Sequence, residues 1–172
     1  MVVMADVLVL HGSPGSGKST LARALSEVLR PADVPHGVID MDELELVHPH
    51  PGRSFSRENL RAIWPNYVAA HPDIKLIIPT VLADEQEVDL LRAAVPGADL
   101  IICETTAPIA VLKERVTERE PTDEWAAALR TWIDVYHARS DLERIRHFQV
   151  VTHPATVTES VAEILERTGW SG

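Results

Sequence analysis

The sequence predicts an α/β fold of three layers, in which a parallel five-stranded sheet lies between helices. Five short apolar or β-branched runs alternate with segments of helical periodicity, and this alternation is typical of a parallel sheet covered by helices. A glycine-rich turn joins the first run to the first helical segment, and no Gly/Ser-rich linker divides the 172 residues. We therefore expect a single domain, residues 1–172, with a sizeable core.

The elements follow from the spacing of the apolar residues and from the turn residues between them. The expected strands are Asp6–Leu10, Gly37–Met41, Ile74–Pro79, Asp99–Glu104 and His147–Thr152. The expected helices are Lys18–Leu29, Arg57–Ala70, Glu85–Ala94, Pro108–Arg119, Asp123–Arg144 and Thr158–Arg167.

The turn after the first strand matches the P-loop (Walker A) pattern G-x-x-x-x-G-K-[ST]. Its glycines allow successive N–H groups to point inward around a phosphate chain, and the N-terminus of the next helix favours an anion. Lys18 is expected to reach the β- and γ-phosphates of ATP, and the Ser19 hydroxyl to ligate Mg²⁺. The residues expected to bind the nucleotide are Gly12, Ser13, Gly15, Ser16, Gly17, Lys18, Ser19 and Thr20.

Two carboxylates follow the second strand in the segment IDMDEL. In a strand, Asp40 and Asp42 would share a face and point into the crevice beside the P-loop. Two like charges at close range need a cation or a proton between them. We expect Asp42 to act as the base for an acceptor hydroxyl, and Asp40 to be an outer ligand of Mg²⁺ through water. The alternative is that Asp42 caps a helix, since Glu43 and Glu45 suit a first helical turn.

Two arginines on the next helix, Arg57 and Arg61, lie one turn apart. They could face the acceptor site, where arginine recognises a carboxylate or phosphate with paired hydrogen bonds, with Trp64 and Tyr67 as an aromatic wall. The alternative is a solvated basic face, with both aromatic residues packed in the core.

The third strand ends in Pro79 and Thr80, where a motor or switch ATPase would carry an acidic magnesium ligand. Asp84 lies too far along the chain for that role and has the position of a helix cap. This absence disfavours an ATPase of that kind and assigns the magnesium role to Asp40.

After the fourth strand, Arg115 and Arg119 are four residues apart on a helix that leads into a proline-marked turn. We expect a lid at about residues 115–130, whose arginines close over the γ-phosphate and stabilise its charge. The alternative is a set of surface ion pairs with Glu114, Glu118 and Glu120.

The charge and the composition of the chain limit the classes of partner that we expect it to bind. The chain has 26 acidic and 16 basic residues and a formal charge of -10, which disfavours a nucleic-acid partner. One cysteine, Cys103, cannot form an internal disulfide, and no apolar segment reaches membrane-spanning length. We therefore expect a cytoplasmic monomer or homodimer that acts on a small molecule and does not enter a membrane.

Taken together, the P-loop, the Asp-x-Asp pair and the two arginine-bearing helices resemble the P-loop small-molecule and nucleotide kinases. Members include shikimate kinase, gluconate kinase, adenylylsulfate kinase and chloramphenicol phosphotransferase, and similar stretches occur in bacterial proteins described as AAA-family ATPases or putative kinases. The resemblance spans nearly the whole chain and is most specific in GSPGSGKST. It implies the three-layer P-loop NTPase fold with strand order 2-3-1-4-5, ATP and Mg²⁺ as cosubstrates, and phosphoryl transfer to a small acceptor.

Two functions remain open. The first is an ATP-dependent kinase that phosphorylates a hydroxyl of a small molecule. The segment FSRENLR is loosely similar to the acceptor segment of shikimate kinase, but IPT stands where that enzyme has a glycine-rich loop, which disfavours shikimate. The second is an ATP-binding module that sequesters a drug or nucleoside, or senses nucleotide, without efficient transfer.

Overall fold

The computed structural model describes residues 6–170 and places a parallel five-stranded sheet between two layers of helices. The strands pair in the order β2-β3-β1-β4-β5, as the resemblance implied. They are β1 (Asp6–His11), β2 (His36–Val38), β3 (Lys75–Thr80), β4 (Asp99–Thr106) and β5 (Phe148–Val151). The helices are α1 (Lys18–Leu29), α2 (Phe55–Ala70), α3 (Glu85–Ala94), α4 (Ile109–Arg119), α5 (Asp123–His137), α6 (Leu142–Ile145) and α7 (Val157–Thr168).

Strand β1 is the centre of the molecule, and its side chains enter a different core on each face of the sheet. Val7 and Val9 pack with α2 and α3, while Leu8 and Leu10 pack with α1 and α7. All four side chains are fully buried. A strand covered on both faces must be apolar at every position, which is why the run VLVL carries no alternation.

Most expected elements agree with the structure to within two residues at each end, and two differ by more. The second strand is shorter than Gly37–Met41, because the Asp40 side chain accepts the Asp42 N–H (3.0 Å) and turns the chain away from the sheet. The helix expected over Asp123–Arg144 ends at His137. The break follows from Arg139, whose guanidinium donates to the Leu82 carbonyl (2.7 Å) and to Asp141.

Helices α4 and α5 form an antiparallel hairpin with its own small core. Leu112 and Val116 of α4 pack against Ile133 of α5, apart from the two clusters that flank the sheet. The Thr122 hydroxyl accepts the Trp125 N–H and caps α5. The hairpin contains the segment expected to form a lid, and its separate core would allow it to move as one unit.

Within residues 6–170, no helix combines the length and the apolar character that crossing a bilayer requires. Cys103 is buried in β4, and burial raises the pKa of its thiol to about 12. It is therefore a neutral core residue.

Candidate active site

The P-loop wraps tightly around the carboxyl end of β1. At Gly12, a Cβ atom would lie 2.4 Å from the Thr105 carbonyl oxygen, so only glycine fits this approach. Gly17 has φ 93° at the N-cap of α1, a conformation that favours glycine. Both glycines that the motif fixes therefore have a structural reason, and the loop presents its N–H groups at the N-terminus of α1.

Side chains from β4 and β5 support the P-loop from below, and they were not foreseen from the sequence. The Thr105 hydroxyl donates to Ser16 Oγ (2.9 Å), and the Thr152 hydroxyl lies 3.2 Å from the Ser16 carbonyl oxygen. Threonines at strand ends carry no motif, so only the sheet order shows that these two lie under the loop.

Lys18 lies within the P-loop, and its Nζ donates to the carbonyl oxygens of Gly12 and Ser13, both at 2.8 Å. Burial, with a smaller effect from Arg119, lowers the pKa of the Lys18 ammonium to about 8, although Asp42 and Asp40 act in the opposite direction. A cation held away from water in this way interacts strongly with a phosphate that reaches it.

Asp40 and Asp42 both line the cleft in front of Lys18. They reach it from a turn that precedes a 3₁₀ segment (Glu43–Glu45), and not from a strand face as expected. Asp42 precedes this segment, but its side chain makes no capping hydrogen bond, so the capping alternative is not supported. Burial raises the pKa of Asp42, and the neighbouring Asp40 and Glu45 raise it further.

Three adjoining clefts run along the carboxyl end of the sheet. The Thr152 cleft, about 430 Å³, lies between the P-loop, α4 and the loop after β5. The Lys18 cleft, about 280 Å³, holds Lys18, Ser19 and both aspartates. The Glu87 cleft, about 500 Å³, extends from Asp42 to α3. The Lys18 cleft shares Arg119 with the Thr152 cleft and Asp42 with the Glu87 cleft, so the three form one continuous groove.

Oxygen donors suited to a hard cation meet in the Lys18 cleft. They are the Ser19 hydroxyl and the Asp40 carboxylate. No group of three or more His, Cys, Asp or Glu side chains in residues 6–170 could hold a metal ion by itself. This donor set fits Mg²⁺, which keeps several waters and binds through one or two protein oxygens together with substrate phosphates.

The arginines of α2 are not placed as the sequence suggested. Arg57 lines the Glu87 cleft, but its Nη2 donates to Glu87 Oε2 (2.9 Å), an acid 30 positions further along the chain. Arg61 is exposed and is not among the residues that line that cleft. Trp64 is buried in the core, as the alternative held, and it donates from Nε1 to the Pro96 carbonyl.

The two arginines of α4 take different positions. Arg115 donates to the Gly15 carbonyl (3.1 Å) and to the Thr152 carbonyl (2.8 Å), so it is fixed between the P-loop and the loop after β5. This differs from the expected side chain that swings over the phosphate. Arg119 is more exposed, pairs with Glu120 (2.9 Å), and lines both the Thr152 and Lys18 clefts.

Other residues around the groove clarify the remaining predictions. Thr80, at the end of β3, lines the Lys18 cleft where an acidic residue would stand in a motor ATPase. Asp84 caps α3, with its carboxylate accepting the Glu87 N–H (3.0 Å), as expected. Ser160 of α7 lines the Thr152 cleft, and its buried Oγ has no hydrogen-bond partner among the described residues.

Solved structures with the same architecture include kinases of small molecules. The APS kinase of Mycobacterium tuberculosis in complex with AMPPNP and APS matches 96% of this chain and 98% of its own, with TM-score 0.69 and 19% identity. A gluconokinase from Sinorhizobium meliloti 1021 matches 99% of this chain and 98% of its own, with TM-score 0.60 and 20% identity. The tunicamycin resistance protein of Deinococcus radiodurans matches 96% and 96%, with TM-score 0.66 and 16% identity. The likeness establishes the P-loop NTPase fold.

No family model matches the sequence, and no curated protein is significantly similar to it.

Proposed function

We propose that the chain is an ATP-dependent kinase that transfers the γ-phosphoryl group to a hydroxyl of a small molecule. The observation that carries the proposal is the placement of Lys18 and Asp42 in one cleft, between a second cleft beside the P-loop and a third that ends at α3. A cation that binds phosphate and a carboxylate that can accept the hydroxyl proton are two groups that phosphoryl transfer to an alcohol uses. The presence of kinases among the structural neighbours supports it.

The nucleoside part of ATP would occupy the Thr152 cleft, with its phosphates extending over the P-loop. Arg115 holds the loop after β5 against the P-loop and so maintains the width of this cleft. The Ser160 hydroxyl, which has no hydrogen-bond partner within residues 6–170, is available to the nucleobase or the ribose. Lys18 and the P-loop N–H groups would bind the β- and γ-phosphates.

The acceptor would enter from the Glu87 cleft and place its hydroxyl beside Asp42. The hydroxyl oxygen attacks the γ-phosphorus, the bond from that phosphorus to the β–γ bridging oxygen breaks, and ADP leaves with that electron pair. The hydroxyl proton passes to the Asp42 carboxylate. Ser19 and Asp40 would hold Mg²⁺, which when bound neutralises charge on the β- and γ-phosphates. Arg119, on the α4–α5 side of the groove, would stabilise charge on the transferring group.

The second candidate is a nucleotide-binding module that does not transfer efficiently. It is favoured by one observation, the neutral Thr80 in the position where a motor ATPase carries a magnesium-linked acid. Such a module would bind ATP but would give no phosphorylated product, whichever acceptor is added.

The decisive experiment is transfer of labelled γ-phosphate from ATP, with Mg²⁺, to a panel of nucleosides, sugars, hydroxy acids and hydroxyl-bearing antibiotics. We expect an acceptor-dependent labelled product that is absent with Lys18→Ala, because that variant lacks the cation beside the phosphates. ATP binding without any product would favour the binding module. Lys113→Ala is the matched control and should leave transfer unchanged, since Lys113 lines none of the three clefts and pairs with Asp134 on the α4–α5 hairpin.

A further inference from the structure

The two arginines of the Glu87 cleft share one buried carboxylate of the protein, that of Glu87. Glu87 accepts Arg53 Nη2 at Oε1 (2.7 Å) and Arg57 Nη2 at Oε2 (2.9 Å). The Ala83 N–H donates to the same Oε2 (3.0 Å). Glu87 is 7% exposed, so its carboxylate is held by three donors in a largely dry position.

On the inner side of the cleft, the two guanidiniums have few N–H groups left that could bind an anion. Arg57 also donates from Nη1 to Ser56 Oγ (2.9 Å), and only 14% of its side chain is exposed. Arg53 is 72% exposed, so its outer edge faces solvent, where a single contact with an anion is weakened by water and salt. An anion that needs both arginines would have to displace Glu87 and leave a buried carboxylate unpaired.

The rest of the lining adds negative charge. Asp42 and Glu45 line the same cleft, so three carboxylates face two guanidiniums, and the lining has a formal charge of -1 with His50 neutral. The indole of Trp132, which is 62% exposed, contributes a flat apolar face from α5. A cleft of this kind is suited to a hydroxylated molecule with an apolar face and without negative charge.

We propose that the Glu87–Arg53–Arg57 cluster selects acceptors without a carboxylate, sulfate or phosphate group, so that the substrates are uncharged or positively charged alcohols. The inference rests on the proposed function, because it places the acceptor in the Glu87 cleft. The proposal reverses the expectation that Arg57 and Arg61 bind an anionic acceptor. Arg57 already pairs with Glu87, and Arg61 lies outside the cleft.

A binding experiment tests the cluster without requiring catalysis. The protein, loaded with AMPPNP and Mg²⁺ so that the P-loop is filled, is titrated calorimetrically with sodium sulfate at constant ionic strength. Glu87→Gln should release both arginines and bind sulfate at least about tenfold more tightly than the unaltered chain. Glu85→Gln is the matched control, because it removes the same charge from the same turn of α3 but from the face where Glu85 pairs with Arg144 (2.7 Å). It should behave like the unaltered chain.

Equal sulfate affinity in Glu87→Gln and the unaltered chain would overturn the proposal, whether both bind or neither does. The second measurement uses the unaltered chain and so does not depend on the folding of a variant. Alcohols are compared in pairs that differ in one group, such as gluconate and glucitol, or a hydroxy acid and its amide. We expect kcat/KM for the anionic member to be lower by about tenfold or more. A preference for the anionic members contradicts the proposal. Transfer to no member counts against the proposed kinase function, and the sulfate titration then decides the selectivity by itself.

Discussion

Asp42 is the residue on which the proposed chemistry depends most directly. Its pKa is raised by burial and by three neighbouring acids, Asp40, Glu45 and Glu43, and a more basic carboxylate accepts a hydroxyl proton more readily. Asp42→Asn keeps the shape of the side chain but removes the base, so we expect kcat to fall by about 10² or more. The affinity for ATP should remain nearly unchanged, because Lys18 and the P-loop are intact.

The control for this prediction is Asp89→Asn, the same substitution at an exposed position of α3 that lines none of the three clefts. Steady-state kinetics and a nucleotide-binding titration should be measured on all three proteins. Turnover of Asp42→Asn near that of the unaltered chain would show that Asp42 is not the base.

At the residue scale, what could be predicted from the sequence is what a single local segment determines. The P-loop is such a segment: the strand, the turn and the helix are continuous, and the positive φ of Gly17 arises within it, whereas the close approach at Gly12 is to Thr105 of β4. The neutralisation of Arg57 by Glu87 is not local, since the two residues are 30 positions apart and meet only because α2 and α3 pack together. No spacing rule pairs them, and the role first expected for Arg57 therefore did not include its partner.

At the scale of elements, His11 connects three parts of the fold directly beneath the groove. It is the last residue of β1 and is fully buried. Its Nδ1 accepts the Leu82 N–H (2.9 Å) from the connection between β3 and α3, and its Nε2 lies 3.2 Å from the hydroxyl of Tyr136 on α5. A ring that accepts at Nδ1 must carry its proton on Nε2, so the histidine is neutral in this arrangement.

This neutral state predicts a pH dependence of stability. Burial, together with the nearby Arg139, lowers the pKa of His11 from its ordinary value of 6.5 to about 3. Between these two values the unfolded chain binds more protons than the folded one, so the free energy of unfolding falls as the pH falls from about 6.5 toward 3. The contribution of one such group is at most about 1.4 kcal/mol per pH unit.

Urea unfolding at pH 7.5, 6.5 and 5.5 measures this contribution. The unaltered chain should lose stability more steeply on acidification than His11→Asn, which has no imidazole to titrate. His71→Asn, at an exposed position, should retain the slope of the unaltered chain. Equal slopes for the unaltered chain and His11→Asn would mean that His11 does not titrate in this way.

Most helices and strands could be predicted from the periodicity of the apolar residues. The two that could not be predicted both end early because of a specific hydrogen bond. Asp40 ends β2 early through a hydrogen bond from its side chain to the backbone, and Arg139 ends α5 early through a bond to Leu82. The first is a turn preference that competes with strand pairing, and the second is a tertiary contact that competes with helix continuation. The spacing of apolar residues in the sequence does not reveal either hydrogen bond.

At the scale of the whole molecule, the sheet separates two cores, and the α4–α5 hairpin adds a third cluster. The strand order that creates this arrangement could not be obtained from periodicity, because pairing joins segments that are distant in the chain; it came from the resemblance to P-loop kinases. Trp64 belongs to the core on the α2 side, and Trp170 to the core on the α1 side. The two indoles therefore report on opposite faces of one sheet.

If residues 6–170 are one cooperative unit, both faces must unfold together. The measurement uses two variants, each of which retains one buried indole and lacks the exposed Trp125 and Trp132 through Trp→Phe substitutions. The first also carries Trp170→Phe and so retains Trp64. The second carries Trp64→Phe and so retains Trp170. In each variant the urea midpoint from fluorescence should coincide with the midpoint from far-UV circular dichroism of the same protein. AMPPNP with Mg²⁺ at about 100 times its Kd should raise the free energy of unfolding by about 2.7 kcal/mol at both indoles, because binding requires the intact groove. A fluorescence midpoint below the circular dichroism midpoint for one indole would show that its face unfolds separately, and that the nucleotide groove depends on only one of the two cores.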